Sequence, residues 1–173
     1  KSPIRKPNAV LEFLAVNLSA IPADLVEAQL FGHERGAFTG ATKNREGILR
    51  AARGGTVFLD EIGEIPAAAQ AKLLRAIEGH EVMPVGADRP SHVEFRLVAA
   101  TNHDLEEMIR KGQFREDLYY RINVIPVDLP PLRERVEDIP ILVQHFQRSV
   151  APDADVRVTS EAMDALCRAR WRG

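Results

Sequence analysis

The 173 residues carry 45% hydrophobic and 28% charged side chains, the balance of an ordinary globular domain long enough to bury a sizeable core. A net charge of −2 excludes an overall basic field for nucleic acid, and no apolar run approaches the ~20 residues of a membrane span. Cys167 is the single cysteine, which excludes an internal disulfide and fits a reducing cytoplasm; five scattered histidines without a helical i, i+4 pair argue against a zinc site.

In chain order, LEFLAVNLS (11–19) reads as a strand and IPADLVEAQLF (21–31) as a helix with Pro22 in its first turn. The glycine-bracketed stretch GHERGAFTGAT (32–42) follows, then a helix around 46–53. GGTVFLDE (54–61) reads as a short buried strand, and PAAAQAKLLRAIEG (66–79) as a helix that stops at Gly79. EVMPVG (81–86) is a short edge-like segment, and VEFRLVAATN (93–102) another buried strand. Helices are expected near 104–111 and 114–121, and NVIPVDLP (123–130) is expected as a last strand. Helices at about 138–150 and 159–170 follow with no further strand. Buried strands alternating with helices imply an α/β fold, a parallel sheet covered on both faces, with a small helical subdomain or lid after it. The domain boundaries expected are 1–132 for the α/β part and 133–173 for the lid. Lys1 is not a methionine, no signal peptide is seen, and ARWRG follows directly on a helical pattern, so both ends read as cut.

Three constellations carry possible chemistry. TVFLDE places Asp60 and Glu61 at the C-terminal end of a buried strand, the edge where open α/β sheets bind ligands. This is the Walker B arrangement, in which one carboxylate holds Mg²⁺ and its neighbour polarises an attacking water. The plain alternative is a strand ending in solvated acids. RLVAATN ends a second strand in Thr101 and Asn102, which suit either a γ-phosphate contact or the N-cap of the helix near Asp104. Arg115 and Arg121, six residues apart, suit either stabilisation of a transferring phosphoryl group or a solvated face paired with Glu116 and Asp117. The glycine-bracketed stretch poses a separate question. Gly36 and Gly40 give a flexible tip, yet it carries Phe38, whose burial is worth roughly 1.5–3 kcal/mol, in place of Asn, Asp or Ser.

Together AVNLSAIPADLVEAQLFGHERGAFTGA, GGTVFLDEIGEIP, VAATNHDL and FREDLYYRINVIPVDLPPLRER resemble, from about Phe13 to Phe146, the central ATPase domain of the sigma-54-dependent transcription activators. These bacterial enhancer-binding proteins are a branch of the AAA+ family, and GAFTGA sets them apart from its other branches. The resemblance implies an AAA+ module of the P-loop NTPase type, its parallel sheet sandwiched by helices. It assembles into a ring, usually a hexamer, and uses ATP and Mg²⁺ to remodel the sigma-54 RNA polymerase holoenzyme. It implies Asp60 as the Mg²⁺-associated acid, Glu61 as catalytic base, and Asn17 as the residue that contacts this glutamate and switches it. Thr101 and Asn102 match sensor I, and Arg115 and Arg121 the arginine fingers. Gly36, Ala37, Phe38, Thr39, Gly40 and Ala41 match the loop that touches sigma-54, so Phe38 is expected to be a partner contact. Residues about 79 to 92 match a second loop that moves with the first.

No GxxxxGK[ST] occurs in the chain. In the family this Walker A loop lies upstream of the position of Lys1, and its strand sits between those placed here at 93–100 and 123–128. The sheet is therefore expected to be incomplete, and the 173 residues alone to hydrolyse little ATP. Trp171 and Gly173 fit a WPGN-type turn, with Arg172 where Pro is usual, and Leu18 stands in place of a common cysteine. Two alternatives remain: a non-enzymatic sigma-54-binding piece, and an AAA+ remodeller of another target, against which GAFTGA speaks. DNA binding is expected only through a domain outside this segment.

Overall fold

Apolar runs rich in Val, Leu and Phe become short strands in the computed structural model, which describes residues 12–150 and 157–171 and divides into two units, Lys1–Val124 and Ile125–Gly173. In the first unit β1 (Phe13–Asn17) passes through a 3-10 turn into α1 (Ala23–Phe31). The two-residue strands β2 (Gly32–His33) and β3 (Arg45–Glu46) pair antiparallel across the base of the glycine-bracketed loop. They lead to α2 (Ile48–Ala51), a single turn where a helix over 46–53 was expected. Arg53 and Gly54 both take positive φ, 48° and 85°, and end it. β4 (Thr56–Asp60), α3 (Ala67–Gly79), the small ladder of β5 (Glu81–Val82) with β6 (Ser91–His92), β7 (Arg96–Ala99), α4 (Leu105–Arg110) and α5 (Glu116–Ile122) complete the unit. The left-handed residue that closes α3 is His80 (φ 53°), one position beyond the expected Gly79.

The sheet is parallel in the order β1-β4-β7. Asn17 lies opposite Asp60 and Leu59 opposite Ala99, so the strands end nearly level and share one C-terminal edge. Period-two alternation sends Val57 and Leu59 into a core with Leu18, Val26, Leu30, Phe31, Leu73 and Leu118, all but completely buried. Each such side chain is worth about 1.5–3 kcal/mol. Lys72 of α3 and Glu27 of α1 form an ion pair that joins the two helices over this core.

Coverage of both sheet faces, expected from the strand pattern, is met on one face only among the described residues. On the other, Phe13 is 66% exposed and stacks on Phe58 at 6.3 Å, and Val98 is 39% exposed. The expected strand over 123–130 does not form. No described strand pairs with it, and Val124, Ile125, Val127 and Leu129 stand between 72% and 83% exposed. An apolar run without a ladder partner has nothing to satisfy its backbone, and Pro126 and Pro130 remove two of its donors.

The second unit contains two regular helices among its described residues, α6 (Ile139–Val150) and α7 (Ser160–Arg168). Thr159 caps α7 by accepting from the Ala162 N–H at 3.3 Å, and Trp171 Nε1 donates to the Leu166 carbonyl at 3.1 Å, closing its C-terminal end. Leu11, Arg172 and Gly173, on which parts of the sequence reading fall, lie outside the described residues.

Candidate functional site

The level strand ends bring Asn17, Asp60, Glu61, Thr101 and Asn102 to one edge. Asn17 and Asp60 are register partners on adjacent parallel strands, so their side chains rise on the same face, and Asn17 Nδ2 donates to Asp60 Oδ2 at 3.1 Å. The other end of the Asn17 carboxamide accepts from Ser19 N and Ser19 Oγ at 2.9 and 2.7 Å, which fixes the amide's orientation. The second Asp60 oxygen accepts from the Glu61 N–H at 3.1 Å. The resemblance implied an Asn17 contact to Glu61; in this structure the amide meets Asp60, because β4 ends there and Glu61 turns away. Glu61 does so in a left-handed conformation, φ 56° and ψ 52°, which a non-glycine residue rarely adopts. Its carboxylate crosses to β7, where Oε2 accepts from the Asn102 N–H at 3.2 Å.

The helix-cap alternative for Thr101 and Asn102 does not hold. Asp104 caps α4, its Oδ1 accepting from the Glu107 N–H at 2.9 Å. Thr101 Oγ1 accepts from the His103 N–H at 3.1 Å, and His103 Nε2 lies 2.8 Å from Glu64 Oε1, a second link between the turns after β4 and β7. The site thus offers two carboxylates, one steadied by two N–H donors and the other by a third. Oxygen ligands half open to water suit a hard divalent cation such as Mg²⁺.

The arginines stand elsewhere on the unit. Arg115 precedes α5 and forms a two-pronged contact with Asp117, Nε to Oδ1 at 2.9 Å and Nη2 to Oδ2 at 2.6 Å. That hydrogen bonding, with the attraction of the two charges, holds the Asp117 carboxyl below its ordinary range and the Arg115 guanidinium above its own. The paired-surface alternative is therefore realised for Arg115 in this conformation. Arg121, exposed near the end of α5, has no ion-pair partner among the described residues. One residue that the sequence reading passed over stands beside them. Gln70 of α3, 1% exposed, donates from Nε2 to the carbonyls of Ile65 (3.1 Å) and Gln113 (3.0 Å) and accepts from the Arg115 N–H at 2.8 Å. Its signal was a lone amide on the stripe of Ala69, Leu73 and Ala76.

The glycine-bracketed loop is closed by its own backbone. Gly36 N donates to Ala41 O at 2.8 Å and Ala41 N to Phe38 O at 3.0 Å, with φ of 85° at Gly36 and 99° at Gly40. Gly36, Phe38, Thr39 and Gly40 are exposed and Ala37 half-buried; Ala41, expected on the contact surface, is 6% exposed. Phe38 itself is 38% exposed, its ring edge-on to His33 at 5.0 Å. The segment after β5 is stitched alongside: Glu34 N donates to Val85 O and Val85 N to Gly32 O, at 3.0 and 2.9 Å. Gly86, at φ 81°, lies so near Ala37 that a β-carbon there would stand 2.9 Å from the Ala37 methyl.

A parallel sheet delivering paired carboxylates and a polar Thr-Asn turn to one edge, with a helical unit after it, defines an α/β module of the AAA+ class. Residues 5–128 match the family model of the sigma-54 interaction domain and residues 133–173 that of the AAA+ ATPase lid domain. The chain belongs to the sigma-54 interaction domain family, that of the sigma-54-dependent transcriptional activators. It is 52% identical over 163 residues to the DNA-binding transcriptional regulator NtrC of Azospirillum brasilense, covering 93% of this chain and 34% of that protein. It is 48% identical over 164 residues to the transcriptional regulatory protein GlrR of Escherichia coli K12, covering 93% and 37%. Among solved structures, NtrX from Brucella abortus in complex with ATP is similar with a TM-score of 0.81 and 35% identity, over 92% of this chain and 36% of that one. The chain thus spans about a third of the length of the curated relatives it matches.

Proposed function

We propose that these residues form the central part of an ATP-hydrolysing activator that remodels the sigma-54 RNA polymerase holoenzyme through the GAFTGA loop. Residues 1–132 serve as the ATPase subdomain and 133–173 as the start of its lid. The observation that carries this reading is the shared strand edge, where Asp60 is held by Asn17 and the Glu61 N–H while Glu61 meets Asn102.

Asp60 is oriented to hold Mg²⁺, directly or through water, and when bound that ion offsets charge on the phosphate oxygens. Glu61 accepts the proton of the attacking water, and Asn17 exchanges Asp60 for Glu61 as the nucleotide state changes. Thr101 and Asn102 sense the γ-phosphate. Arg115 and Arg121 act on nucleotide held by a neighbouring subunit of a ring, a hexamer, and Arg115 leaves Asp117 to do so. Phe38, flanked by Gly36, Ala37, Thr39 and Gly40, touches sigma-54, and the loop is raised or folded away with nucleotide state. The protein works in the cytoplasm, reaching DNA through a domain outside these residues.

The test is Glu61→Gln in the full-length activator. The shape is kept and the base removed, so ATP affinity stays near wild type while steady-state turnover falls by orders of magnitude; near-normal turnover removes Glu61 from the role. A second reading, a sigma-54-binding piece without hydrolysis, is favoured for the 173 residues alone by the lack of any GxxxxGK[ST] to cradle phosphates. Comparing ATPase activity of these residues with that of the full-length protein separates the two.

A further inference from the structure

We infer that Gln70 is the positioning residue for Arg115, fixing the base of the finger to the turn that follows Glu61. The inference rests on the reading of Arg115 as a residue that acts on a neighbour's nucleotide. Arg115 sits at the N-cap position of α5 with extended backbone (φ −80°, ψ 130°), and its own side chain does not cap the helix. Among the described residues its guanidinium is bound only to Asp117, two residues on, and so gains no anchor there outside its own segment. The tie to the rest of the fold is its backbone N–H, taken by Gln70 Oε1, with the Gln113 carbonyl held from the other end of the same amide. Phe114 between them is 4% exposed and seats the segment in the core.

The remaining Gln70 bond runs to Ile65, which closes the 3-10 turn begun at Glu61. One buried carboxamide therefore joins the turn carrying the base of one site to the segment carrying the finger offered to the next. An apolar side chain on this stripe would fill the space, but it would leave two carbonyls and an N–H without partners. A fully satisfied buried amide instead selects a single geometry for the segment.

The experiment uses the full-length protein with Gln70→Met, similar in volume but without polar groups, and Gln70→Glu. The Glu variant keeps an acceptor for the Arg115 N–H and, protonated by burial, one donor. A misplacement of about 1 Å costs on the order of 10²-fold, so Gln70→Met should lose about that in kcat while KM for ATP stays close to wild type. Gln70→Glu should fall between Met and wild type.

Mixed assemblies then locate the defect. Gln70→Met mixed with Glu61→Gln should recover turnover, since some interfaces pair an intact base with an intact finger; mixed with Arg115→Ala it should recover none. Where the Met variant melts early, Gln70→Glu carries the mixing. Recovery with Arg115→Ala, no recovery with Glu61→Gln, or a Glu variant as impaired as Met overturns the Gln70 assignment. Arg115→Ala mixed with Glu61→Gln is the control, and its failure to recover shows separately that the reading of Arg115 is at fault.

Discussion

The strand-end edge and the glycine-bracketed loop hold their key side chains by opposite means. At the edge the two carboxylates and Asn17 are tied through their side chains: Asn17 to Asp60 across adjacent strands, Asp60 to the N–H of the next residue, Glu61, and Glu61 to the Asn102 N–H beyond β7. In the loop the bonds from Gly36 to Thr42 join backbone to backbone, and Phe38 rests on one ring contact with His33. His33 Nδ1 is also the buried side-chain polar atom left without a partner among the described residues, a sign of looser satisfaction on this side. The difference fits the proposed roles. Chemistry needs atoms held to fractions of an ångström, whereas a surface for a large protein needs only to present a side chain and be free to move.

The sharpest way to break this contrast is at the arginines, which we propose take part in the chemistry. Arg115→Ala in the assembled protein should cut turnover by about 10³–10⁵, roughly 4–7 kcal/mol, and leave ATP binding by the monomer largely intact. Turnover that stays normal and independent of protein concentration would remove Arg115 from the shared site. Phe38→Ala comes next. Binding to sigma-54, trapped with a mimic of the γ-phosphate transition state, should weaken by ~2 kcal/mol, with melting unchanged and ATPase within a few-fold. A Phe38→Ala protein that melts early and still binds sigma-54 would make Phe38 a packing residue and dissolve the contrast. The smallest effect is at Asp117, and it sharpens the picture of a stowed finger. The Arg115 contact lowers the folded-state pKa of Asp117, so its contribution to stability is present above the ordinary Asp value of about 3.9. It is lost as pH falls through the lowered folded value. Carboxyl titration by NMR should show the Asp117 midpoint rising toward the ordinary value in Arg115→Ala, and an unmoved midpoint would mean that the two do not pair in solution.

Much of this was legible from the chain. TVFLDE and RLVAATN announced two strands ending in polar pairs, and parallel strands that end level must bring those pairs together, although β7 is half open where a buried strand was expected. The readings that departed from the structure depended on partners. NVIPVDLP has the apolar content of a strand, but a strand exists only beside another, and local pattern does not report a neighbour. Asn17 was matched to Glu61 by resemblance, whereas register pairs it with Asp60. Gln70 stayed hidden because three of its partners are backbone groups, which carry no sequence signature. Ala41 reads as part of an exposed motif, yet it is buried and its backbone closes the loop onto Gly36 and Phe38.

The left-handed backbone at Glu61 bears on how this protein responds to selection for heat tolerance. A non-glycine residue in that conformation costs on the order of 1–3 kcal/mol, and glycine or asparagine relieves most of it. On the proposed reading of Glu61, the changes that relieve this backbone are then also those that delete the base. A library screened only for survival after heating would gather Glu61→Gly and Glu61→Asn early and yield robust, inert proteins. With Glu61 as the proposed base, folding stability and turnover are traded against each other within one residue.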